Sequence, residues 1–76
     1  MTSWLVYTRQ ECSLCETLLA ELATALGPAA AQVQVVDITD DPELERRYGR
    51  RLPVLLADGE FLCEYRLDHA RLAPYL

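Results

Sequence analysis

Trp4-Leu5-Val6-Tyr7-Thr8-Arg9-Gln10-Glu11-Cys12-Ser13-Leu14-Cys15 is the stretch on which the fold turns. Its first five residues are apolar, aromatic or β-branched and read as a strand. From Ser13 the pattern changes: Cys15, Leu18, Leu19, Leu22 and Leu26 recur at helical spacing and form one stripe. Cys12-Ser13-Leu14-Cys15 therefore stands at a strand-to-helix junction, a place where C-x-x-C reads as a redox pair. The reason is local. The first cysteine lies at a helix N-terminus, where unpaired N–H groups and the positive end of the helix dipole favour thiolate over thiol. The second stands three residues on, within reach of a disulfide.

Further along, Gly27-Pro28 stops the first helix at Leu26. Val33, Val35, Val36 and Ile38 read as a second strand, and the intervening helix predicts a parallel pair with a right-handed crossover. Asp40-Asp41-Pro42-Glu43 opens a second helix, with Asp40 as cap, Pro42 in the first turn and Glu43 as the capping-box partner. Leu44 and Tyr48 share its inner face, and Gly49 ends it. Leu52-Pro53-Val54-Leu55-Leu56-Ala57, the turn Asp58-Gly59 and Glu60-Phe61-Leu62-Cys63 form a hairpin with a type I′ signature. Asp68 caps a short last helix, Leu67 and Leu72 are placed as a hydrophobic staple, and Pro74 truncates it. The order is β-α-β-α-β-β-α. One α/β domain over residues 1–76 is expected, a four-stranded mixed sheet with helices on both faces.

Composition narrows the functions. Seventy-six residues lie near the size where a single core is only just sufficient, and a hydrophobic share of 51% argues against disorder. The net charge is −5 and all seven basic residues are arginines, which disfavours nucleic acid and anionic membranes as partners. No apolar run is read as approaching the roughly 18 residues of a membrane span, and no signal-peptide pattern opens the chain. Three cysteines do not pair fully, which excludes a secreted disulfide scaffold and leaves at least one free thiol in every state. A cytoplasmic monomer is expected.

The element order, the placement of Cys12-Ser13-Leu14-Cys15 and the Leu52-Pro53 pair opening the third strand together resemble the glutaredoxin branch of the thioredoxin-like superfamily. The chain looks most like the small bacterial glutaredoxin-like proteins, and the likeness spans essentially its whole length. The resemblance implies thiol–disulfide exchange on a protein or small-molecule disulfide. Cys12 would be the nucleophile and Cys15 the resolving thiol. Backbone at Leu52 and Pro53 would orient the substrate, with Pro53 cis and facing the cysteines. Arg9 would stand where glutaredoxins carry a lysine that favours the thiolate. No metal and no cofactor are expected, with glutathione at most a poor co-substrate.

Several residues depart from that pattern. Ser13-Leu14 replaces a proline–aromatic pair, and Glu11 and Glu16 flank the motif, opposing the thiolate by like-charge repulsion. Cys63-Glu64 stands where glutaredoxins carry two glycines that receive a glutathione carboxylate. A carboxylate and a side chain there predict weak glutathione binding. Plainer readings stay open beside each role. Cys12 suits a structural thiol, Cys15 a core residue, Pro53 an edge proline, Cys63 a core filler and His69 a surface residue. Arg46, Arg47, Arg50 and Arg51 read as a solvated face gathered near Pro53. Two rivals stay open: a metal module built from Cys12, Cys15, Cys63 and His69, and a catalytically idle interaction domain.

Overall fold

The period-two pattern of the first strand is what anchors the sheet. In the computed structural model, which describes all residues Met1–Leu76, Trp4–Thr8 form β1, with Trp4, Val6 and Thr8 buried and Leu5 and Tyr7 partly exposed. Helix α1 (Ser13–Leu26) returns the chain to β2 (Gln34–Asp37), which pairs parallel to β1. After α2 (Pro42–Tyr48), strand β3 (Val54–Ala57) runs antiparallel to β1, and β4 (Glu60–Glu64) runs antiparallel to β3. A one-turn helix α3 (His69–Leu72) closes the fold, and Pro74 confines the chain end to a 3-10 turn, Ala73–Tyr75. The sheet order is β2-β1-β3-β4, a mixed thioredoxin-like sheet.

Two apolar clusters divide the interior. On one face Leu18 and Leu22 of α1 and Leu72 of α3 pack on Trp4, Val6, Leu55 and Ala57. On the other, Leu44 and Tyr48 of α2 meet Tyr7 and Val36, and they surround Cys15, Ile38 and Leu52. The Tyr7 and Tyr48 rings stack at 4.7 Å between centroids. This second cluster includes Cys15, and Cys12 packs against it.

Local chemistry explains most boundaries. Asp58 and Gly59 both take positive φ (52° and 82°), as a type I′ turn requires. Asp68 accepts from the Arg71 N–H, and Leu67 and Leu72 are both buried as the staple demands. Three expectations are corrected. The α2 cap is Asp41, whose carboxylate accepts from the N–H groups of Glu43 and Leu44 at 3.1 Å, so Glu43 is not a capping-box partner. Strand β3 starts at Val54, because a proline contributes no N–H to a ladder. The alanines after Gly27-Pro28 wind into a 3-10 turn, Gly27–Gln32. With α1, that turn makes a 20-residue helical segment of mean hydropathy 1.2, long and apolar enough to pass for a membrane span. That segment still carries Glu16 and Glu21, and its stripe of Cys15, Leu18 and Leu22 is packed inside the domain.

Candidate functional site

Cys12 is the N-cap of α1. Its backbone is extended (φ −114°, ψ 102°), and its Sγ accepts a hydrogen bond from the Cys15 N–H at 3.2 Å. The sulfur takes the place an oxygen occupies in an ordinary N-cap, so one of the helix's unpaired donors points at it. That donor and the helix dipole both favour negative charge on this atom. Cys15 lies one turn in, 2% exposed, with its Cα 5.2 Å from that of Cys12, and the two sulfurs are joined as a disulfide. Cys12 itself is half-buried, less open than a helix start suggests.

A cleft of about 360 Å³ opens beside Cys12, lined by Arg9, Glu11, Ser13, Leu14, Gly49, Arg50 and Leu52. Leu52 and Pro53 are buried, and the Leu52–Pro53 bond is cis, as the resemblance implied. Arg9 reaches the cleft, but its guanidinium is ion-paired with Glu45 of α2. Gly49 makes that arrangement fit, since a Cβ at this position would run into the Glu45 side chain and carbonyl oxygen. Glu11 enters the cleft in the left-handed region, φ 56°, and Glu16 stands exposed in the first turn of α1.

Sequence reasoning missed the wall beyond Pro53. Glu64 reads from the sequence as a free, repelling carboxylate; instead it accepts from Arg51 Nε at 2.9 Å. The Arg51 guanidinium also lies over the rings of Tyr48 and Phe61, at 5.6 and 5.1 Å. Tyr65, at φ 67°, donates its N–H to the Pro53 carbonyl and its O–H to the Arg50 carbonyl, both at 2.9 Å. The region is therefore neutralised, yet still walled by side chains. No local signal in the sequence pointed to this, because Arg51 and Glu64 are separated by the whole hairpin.

The metal-ligand set proposed from the sequence is not assembled. Cys63 is buried in the main cluster, and His69 Nε2 sits 3.2 Å from Glu21. No group of three His, Cys, Asp or Glu side chains is gathered to hold an ion. Burial pushes the Cys63 thiol up from its ordinary range, which suits an inert core residue.

Comparison with known proteins agrees with this geometry. Residues 4–76 match the glutaredoxin-like domain family (DUF836). The uncharacterized protein Rv0508 of Mycobacterium tuberculosis is 37% identical over 70 residues, 86% of this chain and 72% of that protein. The solution structure of protein Ne2328 from Nitrosomonas europaea is 34% identical with a TM-score of 0.85, covering 99% of this chain and 91% of that one. Oxidized glutaredoxin 2 of Chlamydomonas reinhardtii shares the fold at a TM-score of 0.62, with 21% identity over 84% of this chain and 64% of its own. With its cysteine pair capping the first helix of a four-stranded thioredoxin-like sheet, this chain belongs to the glutaredoxin-like domain family and carries a redox-type thioredoxin fold.

Proposed function

We propose that the chain is a thiol–disulfide oxidoreductase in which Cys12 is the nucleophile and Cys15 the resolving thiol. The observation that carries this reading is the Cys12 sulfur capping α1, hydrogen-bonded by the Cys15 N–H and bordering an open cleft. The Cys12 thiolate attacks one sulfur of a substrate disulfide, forming a mixed disulfide and expelling the other sulfur as a thiolate that takes up a proton. Cys15, once deprotonated, attacks the Cys12 sulfur, which releases the second substrate thiol and leaves Cys12–Cys15 oxidised. An external dithiol then reduces the pair for another turn. Leu52 borders the cleft, the backbone at Leu52 and Pro53 orients the substrate on this reading, and Arg9 supplies positive charge tempered by Glu45. Glutathione is a weak ligand on this reading, because Cys63 and Glu64 stand where glycines would admit it. The working compartment is the cytoplasm, where reductants regenerate the dithiol.

The three thiols differ enough in setting to test the assignment. In the reduced native protein, iodoacetamide should alkylate Cys12 more than about tenfold faster than Cys15 or Cys63, since reaction needs both thiolate and access. Cys15 is 2% and Cys63 6% exposed. Peptide mapping after timed quenching reads the order, and equal rates at Cys12 and Cys15 would remove the nucleophile assignment.

A further inference from the structure

We propose that the arginine face running from the rim of the Cys12 cleft along α2 is a docking surface for protein substrates whose disulfide is flanked by an acidic segment. This inference rests on the oxidoreductase reading above. Arg46, Arg47, Arg50 and Arg51 fall within six consecutive residues with no acid among them, in a chain of net charge −5. The fold keeps them together. All four, with Glu45, line one surface depression of about 480 Å³. Arg50 also lines the Cys12 cleft, so the two surfaces are continuous through it.

Internal pairing consumes only part of this charge. Glu45 engages Arg9 rather than the face itself, Glu43 lies 3.3 Å from Arg46, and Glu64 holds Arg51. Arg47 and Arg50 are exposed and have no acidic side chain within 4.0 Å. Free guanidinium groups of this kind present planar donor pairs that match carboxylates. Acidic charge stands on the α1 side: Glu11 lines the cleft, and Glu16 is exposed in the first turn of α1. A substrate is thereby given a direction: its acids lie over α2, and its neutral or basic side faces α1. A nucleic-acid strand fits less well, because its unbroken phosphate charge would also meet Glu11, Glu16 and Glu43.

The test uses the full chain and three matched cystine peptides whose flanks on one side are Asp/Glu, Gln or Lys. Reduction of each by the dithiol form gives kcat/KM. Serine-for-cysteine versions of the same peptides, labelled for fluorescence anisotropy, give binding without chemistry. At low salt the acidic peptide should be bound and reduced about tenfold better than the neutral one, and the basic peptide worse. At about 1 M salt, where the screening length falls to about 3 Å, the preference should vanish. Arg47→Glu with Arg50→Glu should bring the acidic-to-neutral ratio to one or below; Arg47→Gln with Arg50→Gln should bring it part of the way. Equal binding of acidic and neutral peptides would overturn the proposal whatever the rates. Acidic preference in binding without reduction of any peptide would keep the docking face and overturn the oxidoreductase reading instead. A single-stranded oligonucleotide of equal charge binding as tightly as the acidic peptide would overturn the proposal in favour of a general polyanion surface.

Discussion

Replacing Cys12 by serine should abolish disulfide reduction, lowering turnover by roughly a thousandfold or more, as loss of a nucleophile does when no other group replaces it. Cys15→Ser should behave differently. The first attack needs only Cys12, so this variant should form a mixed disulfide with substrate but fail to resolve it, and the adduct should accumulate. Intact-mass measurement after mixing with a cystine peptide separates the two variants. Folding should survive both changes, because the α1 cap position accepts a serine oxygen and Cys15 is close to serine in size. Turnover by Cys12→Ser near the unaltered rate, or an adduct mapped to Cys63, would remove the mechanism.

The largest stability effect is expected at the sheet centre. Leu55 is fully buried on β3, where it pairs with Val6 on one side and Cys63 on the other. Leu55→Ala removes apolar contacts and leaves a cavity, at a cost of about 2–5 kcal/mol. Against a total of about 5–15 kcal/mol for a typical domain, that leaves a small protein close to unfolding. Val35 on edge strand β2 is 52% exposed, and Val35→Ala should stay within about 0.5 kcal/mol. Urea titration monitored by circular dichroism compares the pair. Similar midpoints for the two variants would show that Leu55 is not the centre of the core.

Much of this arrangement was legible in the chain because local signals and global packing agree. The β1–α1 junction carries a strand pattern, a helix pattern and a C-x-x-C between them, and each survives in the fold. Asp58-Gly59 and the Leu67–Asp68–Leu72 staple are equally local. What escaped was competition between near-equals and pairing at a distance. Asp40 and Asp41 are both good caps, and only the seat of Pro42 at the first helical position decides for Asp41. In β4 a register shift opposite Leu55 and Leu56 lets the consecutive residues Leu62 and Cys63 both be buried, which strict alternation does not anticipate. The Arg9–Glu45 and Arg51–Glu64 pairs join residues 36 and 13 positions apart, so the electrostatics of the cleft emerged only with the fold.

The central claim is that Cys12 and Cys15 form a reversible two-electron couple in the native domain. The direct measurement is equilibration of the protein in dithiothreitol or glutathione buffers of graded potential, then acid quenching, thiol alkylation and intact mass. The expected result is a single transition in which two thiols are lost together, with a two-electron slope of about 30 mV per tenfold change, within the oxidoreductase range of about −270 to −120 mV. Cys63 should remain alkylatable after unfolding at every potential, since it is buried and unpaired. A pair that stays reduced throughout that range, or an oxidation that consumes Cys63, would contradict the claim.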